Sequence, residues 1–161
     1  MFQAMRRPEE ILAYRTLRQI LVAKPKELWT AAPGDDVRSA LQLMCDKNVG
    51  LLVVLDRDAL VGVVSERDCL RGAVLANKSL EATKVTDVMV REVVTVPVDQ
   101  TFADCLRLMH QHSVRHLPVV DGGKVIAVVS IRDLLREAVT HNSKIIAEIE
   151  LERLTMFTSM A

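Results

Sequence analysis

The sequence predicts an α+β protein made of two tandem β-α-β-β-α units with extra helices at either end, and three observations predict it. Residues 28–74, moved along the chain by 65 positions, land on 93–139 without a gap. The copies share Thr30/Thr95, Leu41/Leu106, Leu43/Leu108, Met44/Met109, Val49/Val114, Leu52/Leu117, Val54/Val119 and Asp56/Asp121, and then Val63-Val64-Ser65-x-Arg67-Asp68 against Val128-Val129-Ser130-x-Arg132-Asp133. Within each copy, apolar residues pass from helical spacing to short unbroken runs in the same order. Half of the 161 residues are apolar, enough for a real core in one or two compact units. A period of 65 exceeds the roughly 20–50 residues of a solenoid repeat, so a small domain has been duplicated.

Ahead of the repeat, Ile11, Leu12, Leu17, Ile20 and Leu21 recur at helical spacing between Pro8 and Val22. Pro8 suits a first helical turn, and Lys24-Pro25-Lys26 breaks the helix. Leu28 to Ala31 reads as a short strand stopped by Pro33-Gly34. Val37, Ala40, Leu41 and Met44 then form the apolar face of a helix from Asp36 to Lys47. The runs Leu51–Leu55 and Leu60–Val64, joined by Asp56-Arg57-Asp58, read as a hairpin, and Ser65 to Ala76 as a second helix.

The second copy follows suit. Val93–Val96 is a strand, and Phe102, Cys105, Leu106 and Met109 mark a helical stripe. Leu117–Val120 and Val125–Val129 pair across Asp121-Gly122-Gly123, a stronger turn signal than its counterpart, and the closing helix runs through Asp133 to Val139. Between the copies, Asn77 to Glu92 is a polar bridge in which Val85, Val88 and Met89 form a short packed turn. Ile145, Ile146, Ile149 and Leu154 mark a C-terminal helix. The expected organisation is an N-terminal helix and linker (1–27), a first unit (28–76), a linker (77–92), a second unit (93–140) and a C-terminal helix (141–161). Neither terminal helix is read as part of the repeat, so each is expected to cover the pair or meet a second chain.

Charge and composition narrow the function. Basic and acidic residues balance at 21 each, so no strong field favours nucleic acid, and five aromatics offer no base-stacking platform. No apolar stretch approaches the roughly 18 residues of a membrane span, and the start reaches Glu9-Glu10 without the apolar core of a secretory signal. Cys45, Cys69 and Cys105 form no CxxC pattern and are expected as buried free thiols in a reducing cytoplasm.

The polar residues kept in both copies carry the functional question. Ser65-x-x-Asp68 and Ser130-x-x-Asp133 stand where a strand hands over to a helix. One reading is a capping box with Asp in place of the usual Glu or Gln. The other is a sugar site, because a carboxylate offers about four acceptor positions and can take two vicinal hydroxyls together. The two are compatible.

Gly62-Val63-Val64-Ser65-Glu66-Arg67-Asp68 resembles the Gly-h-h-(Ser/Thr)-x-x-Asp ribose motif of CBS domains. Val114-Arg115-His116-Leu117-Pro118-Val119-Val120-Asp121 is similar to the strand and turn that precede that motif in these domains. The similarity covers about 28–139 and implies two CBS domains related by a pseudo-twofold, with two clefts for an adenosine ligand such as AMP, ADP, ATP, NAD or S-adenosylmethionine. Carried over, Asp68 and Asp133 would hold ribose hydroxyls beside Ser65 and Ser130. Thr30-Ala31 and Thr95-Val96 would line the adenine pockets through backbone groups and apolar surface. Gly50-Leu51 and Arg115-His116 would stand at the phosphate ends, with Arg67 and Arg132 adding charge.

The copies differ at these places. Arg115 offers a planar fork of donors where the first copy has Gly50, which makes the second site the better phosphate site. Ala127 replaces the motif glycine at Gly62, and its methyl either narrows the ligand's approach or fills a gap.

No catalytic set emerges. His110 and His112 are two apart on a predicted helix and point apart, no HExxH or Cys/His cluster is present, and the glycines form neither a phosphate loop nor a dinucleotide fingerprint. The expectation is a non-enzymatic, cytoplasmic regulatory homodimer that senses an adenine nucleotide and acts on a protein target, with no metal, catalytic cofactor, membrane or nucleic acid. The alternative is a ligand-free dimerisation module built on the apolar stripes of the terminal helices.

Overall fold

The computed structural model describes residues 14–23 and 27–159. In chain order the elements are α1 (Leu17–Val22), β1 (Thr30–Ala31), α2 (Val37–Lys47), β2 (Leu51–Asp56), β3 (Ala59–Ser65), α3 (Glu66–Cys69), α4 (Val85–Val88), β4 (Val96–Pro97), α5 (Phe102–Gln111), β5 (His116–Asp121), β6 (Lys124–Ser130) and α6 (Ile131–Ser159). α3 runs on as a π-helical turn over Leu70–Val74. The strands form two three-stranded sheets, β1-β2-β3 and β4-β5-β6, each with one parallel and one antiparallel pair.

The repeat holds to the level of register. Ala31 pairs with Val54 and Val96 with Val119; Leu51 pairs with Ser65 and His116 with Ser130. A bulge falls after Val54 in one hairpin and after Val119 in the other. Both turns place two residues at positive φ, Arg57 and Asp58 (47° and 67°) and Gly122 and Gly123 (55° and 78°). That geometry matches the right-handed strand twist, and the second copy meets it with glycine where the first uses side chains. Caps set the helix starts: Asp36 accepts from the Ser39 amide and Thr101 from the Asp104 amide. Asn48, left-handed at φ 52°, ends α2.

Each unit buries the helix-facing side of its sheet. One core gathers Val37, Met44, Leu52, Val54, Val64 and Cys69, the other Cys105, Met109, Leu117, Val119, Val129 and Leu134. Each is completed by a helix that precedes the other unit in sequence. Leu17 and Ile20 of α1 belong to the second core, and Val85 of α4 to the first. The docking bonds correspond: the Leu17 amide donates to the Gln100 carbonyl at 3.1 Å, and the Val85 amide to the Asp35 carbonyl at 2.8 Å. Fully burying one such side chain contributes roughly 1.5–3 kcal/mol.

This exchange corrects one expectation, since α1 is the counterpart of α4 and so belongs to the repeat. A second correction concerns the C-terminus, where the closing helix of the second unit and the expected C-terminal helix are one continuous α6. The fourth strand starts three residues later than expected and ends one later, at Val96–Pro97 with Thr95 just outside it, and the first is only Thr30–Ala31. Cys69 and Cys105 are buried, whereas Cys45 is exposed on α2. The expected helical turns over residues 8–13 and the break at Lys24-Pro25-Lys26 lie outside the described residues. Among the described residues, no helix is long and apolar enough to cross a membrane.

The linker also fixes the motif glycine. Val63 and Val90 exchange backbone hydrogen bonds of 2.9 and 2.8 Å, laying the linker against β3. A Cβ on Gly62 would come within 2.9 Å of the Val90 carbonyl oxygen and 2.8 Å of Met89 Sδ. The glycine is thus required by the chain itself, and Ala127 instead packs against the second core. Gly62→Ala is expected to lower unfolding free energy by about 1–3 kcal/mol through overpacking against backbone, and Ala127→Gly by about 1 kcal/mol or less. Urea denaturation of the two variants checks the order.

Candidate functional site

Strand alternation sorts the expected site residues. Ala31 and Val96 turn their side chains into their own cores, which leaves only backbone there for a ligand. Leu51 and Val53 on β2, and His116 and Pro118 on β5, alternate with core residues and so take the opposite faces. Val53 and Pro118 are nonetheless buried, and Val53 belongs to neither helix-packed core. The two sheets therefore cover each other on these faces, and His116 Cε1 lies 3.7 Å from where a Gly50 Cβ would stand.

The Ser-x-x-Asp sequences form the capping boxes they resemble. In the first unit the Ser65 amide donates to Asp68 Oδ2 at 2.9 Å, while the Asp68 amide donates to Ser65 Oγ at 3.3 Å. In the second the Ser130 amide donates to Asp133 Oδ2 at 2.8 Å, and the Asp133 amide to Ser130 Oγ at 3.2 Å. In both, the serine hydroxyl also donates to the same Oδ2. The cap engages one carboxylate oxygen and holds a half-buried acid at a helix entrance beside a strand start.

That strand start carries the expected phosphate-end residues. The Glu66 amide donates to the Gly50 carbonyl at 3.4 Å, and the Ile131 amide to the Arg115 carbonyl at 2.8 Å. Leu51 is the cross-strand partner of Ser65, as His116 is of Ser130. Each unit therefore brings together its own strand start and Ser/Asp pair. Arg67, Arg115 and Arg132 are exposed at the edges, and Thr30 and Thr95 are half-buried beside the first strand of each sheet.

A shallow pocket of about 120 Å³ opens beside Asp133, lined by Arg15, Ile20, Ala23, Arg136, Glu137 and Thr140. Of the expected residues only Asp133 lines it; Thr95, Arg115, His116 and Arg132 do not. Its other wall is α1 and the residue before Thr16. Arg15 Nε lies 2.9 and 3.0 Å from the two Glu137 carboxylate oxygens, and its Nη2 bonds one of them as well. Just before it, Tyr14 stacks on Phe102 at 4.2 Å and tilts against His141 at 4.6 Å.

Sequence reasoning missed Arg15 and Glu137. Position 137 aligns with Gly72, where a Cβ would lie 2.5 Å from Val88 Cγ1. The missed signal was this difference between the copies, a glycine under α4 against an acid under α1. Elsewhere, burial pushes the Cys69 and Cys105 thiols up to about 11, so neither supplies a thiolate near neutral pH.

Hydrogen bonds from Arg15 hold the Glu137 carboxyl below the usual carboxylate range, against the opposing effect of burial. A carboxyl lowered in the folded state contributes stability that is complete above its unfolded value near 4.3, and that stability is lost as pH falls through the folded value. Glu137→Gln is expected to cost about 1–3 kcal/mol at pH 7 through its charged hydrogen bonds. The gap from the parent should narrow below about pH 4. Urea denaturation at pH 7 and pH 3.5 checks this, and equal gaps would mean that the carboxylate charge contributes nothing.

The chain matches the family model described as CBS domain twice, over residues 18–74 and 85–140. It is 33% identical over 165 residues to the mitochondrial CBS domain-containing protein CBSX3 of Arabidopsis thaliana, covering 96% of this chain and 77% of that protein. A solved CBS-domain protein from Burkholderia ambifaria MC40-6 superposes with a TM-score of 0.76 at 41% identity, over 78% of this chain and 95% of that one. The CBS domain pair of protein MJ0100, solved with 5′-methylthioadenosine and S-adenosyl-L-methionine, shares the fold at a TM-score of 0.68 and 24% identity, over 76% of this chain and 94% of that one. The first match begins inside α1 and the second at the first residue of α4, so both include an exchanged helix.

Proposed function

The chain belongs to the CBS-domain family, and from that membership and the pocket at Asp133 we propose that it is a regulatory protein that binds an adenine nucleotide. The observation that carries this reading is the pairing of a capped, half-buried Asp133 with Arg136 in one pocket. The carboxylate can accept ribose hydroxyls, and Arg136, which forms no ion pair with another described residue, supplies a donor fork for phosphate. The adenosine ligands of MJ0100 support the class of ligand. Arg115 and Arg132 beside the same helix entrance favour an anionic one such as AMP, ADP, ATP or NAD. The chain acts by binding and not by catalysis, in a reducing aqueous compartment that keeps its three thiols free.

At about 120 Å³ the pocket is below the roughly 300 Å³ of a small-molecule site. Nucleotide entry therefore widens the gap between α1 and the start of α6. Because α1 packs in the second unit and leads in sequence into β1 of the first, widening shifts the two units relative to each other, which is a change that a protein target can read.

Calorimetric titration with AMP, ATP and NAD is expected to give affinity tighter than about 1 mM, or about −4 kcal/mol. Asp133→Asn keeps a side-chain oxygen that can accept from the Ser130 amide and should weaken binding tenfold or more with little change in melting temperature. A lower melting temperature with unchanged affinity would instead assign Asp133 to capping alone.

The partner we propose is a second copy of this chain. On α6, Leu135, Val139, Ile146 and Ile149 are each more than half exposed, and with Asn142 they step by four and three residues as in a coiled-coil seam. Leu70 and Val74, the repeat counterparts of Leu135 and Val139, are also exposed, so both units present the same apolar pair. A homodimer that packs this seam against itself covers a surface of a kind that monomers rarely leave open. Ile146→Glu is expected to convert the dimer to a monomer in light scattering without loss of helicity, and an unchanged mass would remove this face from the assembly.

A further inference from the structure

Arg15 stands at the mouth of the Asp133 pocket with its guanidinium committed to Glu137. Its side chain is 42% exposed, that of Glu137 only 4%, so the cation reaches the pocket opening while the acid sits beneath it. Arg136 lines the same pocket. Two arginines therefore line one small space beside a ribose-type carboxylate, and one of them is neutralised by Glu137.

The segment that carries Arg15 does not depend on this ion pair for its position. Tyr14 is stacked on Phe102, the Leu17 side chain is fully buried in the second core, and the Leu17 amide is bonded to Gln100. Arg15 can thus exchange partners, and α1 can shift at the pocket, while Leu17 keeps the helix seated in the second core. The first unit holds no such device. Its position 72 is a glycine pressed by Val88, with no room for an acid, although the neighbouring Arg71 matches Arg136.

We infer that Arg15 is an anion-binding residue of the Asp133 pocket held in reserve by Glu137, so that a phosphate-bearing ligand binds by drawing Arg15 off Glu137. The inference rests on the nucleotide reading of this pocket and deepens it. Glu137 then acts as a specificity gate. It opposes every anion by charge and by occupying Arg15, and it is indifferent to a neutral nucleoside.

The test compares AMP with adenosine by calorimetry on the full chain. Glu137→Gln is expected to raise AMP affinity fivefold or more and to leave adenosine within twofold. Adding Arg15→Gln to that variant should remove the gain. Arg15→Gln alone, which keeps an amide donor for the buried Glu137 carboxylate, should weaken AMP at least fivefold and spare adenosine, and it decides the matter if the Glu137 variant does not fold. Equal effects on both ligands, or no effect on AMP, would overturn the assignment while leaving the nucleotide reading intact. Failure of the parent chain to bind either ligand would overturn the nucleotide reading itself, and this inference with it.

Discussion

Neither three-stranded sheet can close its own core, and the exchange of α1 and α4 is the constraint on which the rest of the structure depends. A sheet buries one face only when another element covers it. Here α2 or α5 and the closing helix cover most of each sheet, and the last gap is filled from across the molecule by Leu17 in one unit and Val85 in the other. The two units are therefore interdependent. The exchange brings the linker past β3, which forces glycine at position 62, and past the π-helical turn, which forces glycine at position 72. It also lays α1 beside Asp133, so that the pocket wall and the core plug are one helix.

Much of this was legible in the sequence because a duplicated fold repeats its constraints. The gapless offset of 65 carried the strand order, the hairpins and the Ser-x-x-Asp handover into both units. The structure adds a shared bulge and register that no residue type announces. The kinship of α1 and α4 was hidden for a physical reason. Their docking acceptors, Gln100 and Asp35, are 65 apart, but the donors Leu17 and Val85 are 68 apart. The stretch from Leu17 to Thr30 is three residues longer than that from Val85 to Thr95, and beyond it the two helices share little but apolar first residues. The continuity of α6 was hidden by Thr140-His141-Asn142-Ser143, a polar run between the apolar positions that end at Val139 and those that resume at Ile145. A run of poor helix formers without Gly or Pro does not end a helix that is packed at one end.

The capping reading and the binding reading of Ser-x-x-Asp do not compete. A cap needs one carboxylate oxygen and one hydroxyl at a fixed place, and it supplies what a sugar site needs, an acid whose rotamer is already locked. Both copies keep this arrangement because each helix must begin there whatever the pocket holds. Finding the motif twice therefore says less about function than the residues around it, and these were less legible. Arg115-His116 against Gly50-Leu51 could be seen from sequence, whereas Arg15 meets Glu137 across 122 residues, with Arg15 outside the gapless 65-residue offset.

Function is best sought where the copies part. Packing positions recur because the same fold must close twice, and Leu52/Leu117 or Val54/Val119 carry no information about ligands. Positions 72 and 137 occupy equivalent places on the closing helices, yet one is a bare backbone under Val88 and the other a buried acid under an arginine. The first unit meets its exchanged helix with shape, the second with charge. A contact made by shape is insensitive to an incoming anion, whereas an ion pair at a pocket mouth is not. The second unit is thus the one whose docked helix can respond to a ligand, and the first is the fixed frame against which that response is measured.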